Sequence, residues 1–139
     1  MKKSLYIVLS VLFIFSLSAC VGKTRGGNVN EVKTHVVDSQ IYSQEDITSA
    51  IDTIKKEFEE EWNGCTLTEI YYAGDKKSAD HQDWADRYGA DEVIVLLSSF
   101  DVDSSGGDGS LNPNSTYENW MWILVRSNSG QWRHVDHGY

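Results

Sequence analysis

Only two cysteines occur in the sequence, Cys20 and Cys65. The first belongs to an export signal, so no intramolecular disulfide scaffold can be built and stability must come from a packed core. Basic residues are scarce too, 12 against 21 acidic ones for a net charge of −9. Phosphate backbones and anionic lipid surfaces repel such a chain, which argues against nucleic-acid binding and against a polybasic membrane contact, and leaves cations as partners. No Ser-His-Asp arrangement, glycine-rich phosphate cradle, Cys-x-x-Cys pair or internal repeat is visible. The sequence alone therefore names no reaction.

What is present begins with an address. Lys2 and Lys3 precede an apolar run over residues 5–17 that ends in "LSAC" at Cys20. The run is shorter than the roughly 17–25 residues that span hydrocarbon. Charge, run length and a small residue before cysteine together predict a bacterial lipoprotein signal over residues 1–19, with diacylglycerol attached to the Cys20 thiol and cleavage just before it. Several acyl chains on one residue make a durable anchor on the extracytoplasmic face of the membrane. Removing residues 1–19 leaves 10 basic against 21 acidic side chains, a net charge of −11.

The cleaved chain divides in two. Residues 20–40 carry the lipidated cysteine and a stretch of Gly, Lys, Asn and Thr read as a flexible tether, although "VKTHVV" has the composition of a short edge strand. Residues 41–139 suit one domain. Cys65, in "GCTLTEI", reads as a small apolar residue at a strand start, rather than as a thiol nucleophile, which needs a histidine base beside it.

The clearest element is a helix in "SQEDITSAIDTIKKEFEEEWNG", where Ile47, Ile51, Ile54, Phe58 and Trp62 recur at spacings of three and four. Ser43 caps it near Asp46, Tyr42 and Ile47 form a hydrophobic staple, and Asn63 with Gly64 stops it. Its "EFEEEW" run reads as a solvated face. "CTLTEIYY" follows as a strand, and "SADHQDWADRYG" as a helical piece capped at Ser78. "DEVIVLLSSF" and "YENWMWILVR" are apolar on both alternating faces, so both are strands buried on two sides. "SNSG" turns the chain into "QWRHVDHGY". Helix, strand, helix and three strands predict an α+β domain with an antiparallel meander packed on the long helix.

These residues resemble the NTF2-like, cystatin-like class of α+β domains, in which a long N-terminal helix packs in a curved antiparallel sheet. The likeness is carried by the long helix, by "NWMWILVR" paired with "GQWRHVDHGY", and by the aromatic finish at Tyr139. Over residues 41–139, "TLTEIYY", "ADEVIVLLSSFDVDSSGGDGSLNPNSTYENWMWILVR" and "GQWRHVDHGY" are similar to a family of uncharacterised bacterial lipoproteins. The resemblance implies a fold and a surface location. It brings no activity, because this class hosts enzymes, ligand binders and assembly modules alike.

Three groups of residues are candidate sites. In "FDVDSSGGDGSLNPNSTY", Asp101, Asp103, Ser105 and Gly106 fit the first half of a calcium loop, whereas Asp108 and Asn112 stand where an apolar residue and a bidentate glutamate belong. This excludes an EF-hand and leaves a calcium site of another kind on Asp101, Asp103, Asp108 and Asn112, with the loop over residues 103–116 also a lid candidate. Trp120, Trp122 and Trp132 are candidates for an aromatic ligand wall, or simply core. His134 and Asp136 are candidates for a general base and its orienting carboxylate, with alternation sending His137 to the opposite face unless the strand bulges.

The reading that follows is a lipid-anchored extracytoplasmic domain that binds a small ligand or a protein partner. The alternatives are an enzyme using His134 and Asp136, and a calcium-stabilised interaction module.

Overall fold

Ser43 decides where the first helix begins. Its hydroxyl accepts a hydrogen bond from the Asp46 amide, and the Asp46 carboxylate accepts one from the Ser43 amide, so two amides that a helix start leaves unpaired are satisfied reciprocally. This helix, α1, spans Gln44–Glu61 and buries Ile47, Ala50, Ile51, Ile54 and Phe58. Trp62 caps its C-terminus and Gly64, at φ 72°, turns the chain away.

The computed structural model describes residues 26–139. The expected signal sequence, Cys20 and the first part of the tether lie outside the described residues. After α1 come β1 (Cys65–Tyr72), the short helices α2 (Asp75–Ala79) and α3 (Gln82–Arg87), then β2 (Glu92–Val102), β3 (Thr116–Arg126) and β4 (Arg133–Gly138). The strands form one antiparallel sheet in the order β1-β2-β3-β4, as the meander predicts. The single helical piece expected after β1 is divided in two, and Ser78 caps neither half. It is buried instead, its hydroxyl accepting from the Val95 amide at 3.1 Å, where the β1–β2 ladder gives out.

The sheet is covered on both faces, which is why β2 and β3 are apolar on both. Ile94, Leu96, Phe100, Trp122 and Leu124 pack with α1 in the larger core. Val93, Val95, Ile123 and Val125 pack with Ala85 and Trp84 of α3 in a smaller one. Arg126 is buried at the edge of the larger core, donating to Asp46 of α1 and Glu92 of β2.

β2 alternates without interruption, and each of the other strands slips once against its neighbour. Thr68 is the extra residue of β1, since Leu67 faces Phe100 and Glu69 faces Ser99. In β3 the slip falls between Tyr117 and Trp120, where Asn119 takes φ 55°, a left-handed conformation that asparagine tolerates better than most residues. In β4 it falls at Val135, between His134 opposite Leu124 and Asp136 opposite Ile123. One such slip turns every following side chain to the other face of its strand.

The expected tether is ordered where the structure describes it. Asn28 and Lys33 bridge β1 in parallel. Four bonds serve that edge: the Asn28 amide to the Cys65 carbonyl, Leu67 to Asn28, Lys33 to Thr68 and Ile70 to Lys33. Val29, Val32 and Val37 pack on the larger core. Residues 26–40 are thus part of the fold, because β1 offers an unpaired edge and the valines have surface to bury.

Candidate functional site

The slips in β3 and β4 together gather chemistry on the α1 side of the sheet. In β3, Tyr117 and Trp120 reach the α1 side together despite being three residues apart, and Trp120 meets Tyr117 at 5.4 Å. In β4, His134 and His137 do the same. His134 Nδ1 lies 2.6 Å from Glu57 Oε1 of α1, its Nε2 lies 3.0 Å from the Asp136 carbonyl, and His137 Nδ1 stands 3.3 Å from that same Nε2. Each ring nitrogen of His134 thus faces an oxygen acceptor, the Glu57 carboxylate on one side and the Asp136 carbonyl on the other.

His137 closes the line. Its ring is packed against Trp62, Trp120 and Trp122 at centroid distances of 5.2, 5.8 and 5.4 Å. Burial among these rings, and then the neighbouring His134, push its pKa below the ordinary imidazole value. A neutral His137 whose Nδ1 accepts from His134 carries its hydrogen on Nε2.

His137 and Trp120 border a cleft of about 420 Å3 whose other walls include Glu61, Trp62, Asn63 and Cys65 at the α1–β1 junction and Asp108 and Leu111 of the loop after β2. Two larger grooves, of about 730 and 760 Å3, lie along residues 26–30 and along the outer side of α1. Neither combines an imidazole with facing aromatic rings. Within the smaller cleft, burial pushes the Cys65 thiol up to about 11, helped by Asp103 and Asp108. A thiol held protonated is a poor nucleophile, which agrees with the apolar role expected of it.

The loop over residues 103–115 is ordered by its own turns. Asp103 accepts from the amide and hydroxyl of Ser105, the Leu111 amide reaches the Gly106 carbonyl, and the Asn114 amide reaches the Asp103 carbonyl. Two bonds tie the loop to the α1–β1 junction: the Asp103 amide to the Gly64 carbonyl at 2.8 Å, and Asn63 Nδ2 to Asp108 Oδ2 at 2.7 Å. In this structure the lid candidate forms one wall of the cleft.

The sequence candidates are redistributed by this geometry. Asp101 accepts from Thr116, Asp103 from Ser105 and Asp108 from Asn63, while Asn112 is held through its amide by the Tyr117 hydroxyl. Each is engaged with a different partner. Among the described residues no group of three or more His, Cys, Asp and Glu side chains gathers in a way that would hold a metal ion. Trp120 and Trp122 share a face as expected. Trp122 is fully buried, with its Nε1 donating to Ser98 Oγ at 2.7 Å. Trp132 packs elsewhere, under the Arg126 guanidinium, and donates to the Asp46 carbonyl. Only Trp120 of the three lines the cleft.

The expected His134/Asp136 pair is replaced. Asp136 faces Ile123 of the smaller core, so its side chain leaves on the other side and only its carbonyl meets His134. Glu57 supplies the carboxylate. It was hidden in the acidic run of α1, but its place three residues after Ile54 and seven after Ala50 continues the apolar stripe, a signal that it faces the sheet.

Two buried polar side-chain atoms lack a hydrogen-bond partner among the described residues, Asn63 Oδ1 and Trp120 Nε1. Both residues line this cleft. Comparison with protein-family models, with curated proteins and with solved structures gives no match for this chain.

Proposed function

We propose that this protein is a lipid-anchored binding module of the bacterial cell surface. It is acylated on Cys20, and it carries an NTF2-like α+β domain that takes a small ligand or a segment of a partner into the cleft between α1, Trp120 and the loop after β2. The NTF2-like reading draws support from the long helix lying on a bulged antiparallel sheet. The ligand-binding reading is carried by one observation: both unpartnered buried polar atoms belong to residues lining the cleft where aromatic, carboxylate and imidazole groups meet. Native interiors pair nearly all such atoms, and a cleft of a few hundred Å3 with few polar groups is the usual form of a ligand site.

The test is a thermal-shift screen of a small-molecule library on the full chain in nonionic detergent, repeated with Trp120→Leu. Compounds that stabilise the parent chain and leave the variant unmoved support the reading. A library that stabilises neither, or stabilises both equally, sinks it. The anchor is tested separately: Cys20→Ser is expected to leave the membrane fraction and to lose incorporation of labelled fatty acid.

A second reading, an acid–base enzyme, is favoured by the Glu57–His134–His137 line. There His137 is the group that meets substrate, while Glu57 and His134 orient it. Turnover of an activated ester that disappears in His137→Gln while the fold persists would support it. Equal turnover in parent and variant would end it.

A further inference from the structure

The cleft's charge and its rings point to one chemical class of occupant. α1 ends in Glu59, Glu60 and Glu61 with no basic residue in its last turn. The carbonyl end of a helix is already negative, so cations are the side chains that stabilise it and three carboxylates there oppose it. Among the described residues, Glu61 and Asp108 are the charged walls of the cleft, and no lysine or arginine lines it. Of its other titratable walls, His137 has its pKa lowered by burial and Cys65 is held as the neutral thiol. Asp108 is pinned through one oxygen by Asn63, and its second oxygen has no protein partner among the described residues.

Aromatic rings supply the remaining walls. Trp62 and Trp120 stand 6.0 Å apart at 82° and Trp120 stacks on His137, so a molecule seated here meets indole surface in two orientations. Indole faces attract a desolvated organic cation more strongly than any other side-chain ring. They offer a metal ion no oxygen donor, and no metal-ligating group of three gathers among the described residues. We propose that the cleft bounded by Trp62, Trp120, Glu61 and Asp108 binds a small organic ammonium ion. This inference rests on the binding-module reading and adds the sign and type of ligand to it.

Choline and tetramethylammonium are the probes, followed by tryptophan fluorescence on the full chain at constant ionic strength. The controls are 3,3-dimethylbutan-1-ol, a neutral shape match to choline, and the anion 3,3-dimethylbutanoate. A saturable response to the ammonium probes, roughly tenfold tighter than to the neutral match, is expected. Trp120→Leu is expected to abolish it. Asp108→Asn keeps a side chain that suits the φ of 61° at that position and still accepts from Asn63, so it removes charge alone, and a weakening of about threefold or more is expected.

If the neutral or anionic control binds as tightly as choline and depends on Trp120, the ammonium assignment is overturned and the binding module stands. If the choline response is unchanged in both variants, the ion sits elsewhere and the assignment also fails. If no probe saturates while the library screen finds Trp120-dependent compounds, the class is wrong; if neither assay finds any, both readings fall.

Discussion

His137 Nδ1 lies 3.3 Å from His134 Nε2, although strict strand alternation puts the two residues on opposite faces of β4. Val135 is the cause. It is the residue β4 carries in excess of β3 between the pairs Leu124/His134 and Ile123/Asp136, and every side chain after it is turned over. The same device at Asn119 brings Tyr117 and Trp120 together. Two irregularities in adjacent strands thus build a site that two regular strands would have scattered, in line with the tendency of bulges to re-aim side chains at functional sites.

The pH dependence of stability should carry the mark of His137. Its folded pKa lies below the ordinary 6.5, so just below that pH the unfolded chain binds more protons than the folded one. The stabilisation is present above the unfolded value and is lost as pH falls through the folded one. Urea midpoints measured between about pH 7 and 5 are expected to decline in the parent chain and to decline less in His137→Gln. Parallel profiles would show that another group is responsible.

Ser98→Ala should test the buried bond beneath the site. Removing the hydroxyl leaves Trp122 Nε1 without its acceptor inside a fully buried environment, at a cost of about 1–3 kcal/mol in unfolding free energy. Trp122→Phe in the Ser98→Ala background should then cost less than Trp122→Phe alone. Additive losses would mean that the bond contributes nothing.

How far the sequence foretells this site depends on which forces act locally. The Ser43–Asp46 cap, the stripe from Ile47 to Phe58 and the two-sided strands β2 and β3 are legible, because caps and periodicity are written within a dozen residues. The facing of His137 is not, since a slip belongs to a pair of strands and β4 shows nothing unusual until its register against β3 is known. Asn119, just ahead of the apolar run from Trp120 to Val125, is the one local hint. Glu57 is masked by three acidic neighbours, Glu59, Glu60 and Glu61, whose side chains do face water. The ordering of residues 26–40 depends on an edge of β1 that no local pattern reveals.

Gly27 should resist replacement. Its amide donates to the Phe58 carbonyl at 2.9 Å, and a Cβ built there would lie 2.5 Å from the Phe58 ring and 2.6 Å from its carbonyl oxygen. Gly27→Ala is expected to cost about 1–3 kcal/mol. Hydrogen exchange should speed up at the Asn28 and Lys33 amides before it does so in β2. Unchanged protection at those amides would show that the segment docks without the close approach.

Calcium at millimolar concentration should leave the thermal midpoint where it was, because Asp101, Asp103 and Asp108 are each committed to a separate partner. A calcium-dependent rise that disappears in Asp101→Ala would restore the metal reading of the loop.

The strip of chain running from Asn28 to Lys33 along β1 also bears on self-association. A sheet with two bare margins can recruit copies of itself on both sides and grow without limit. Here, among the described residues, the β1 margin is bridged by the molecule's own backbone at Asn28 and Lys33, and the β4 margin is left unpaired. Antiparallel pairing through that row would join two copies about a twofold axis, and a filament would first require the strip to peel away from β1.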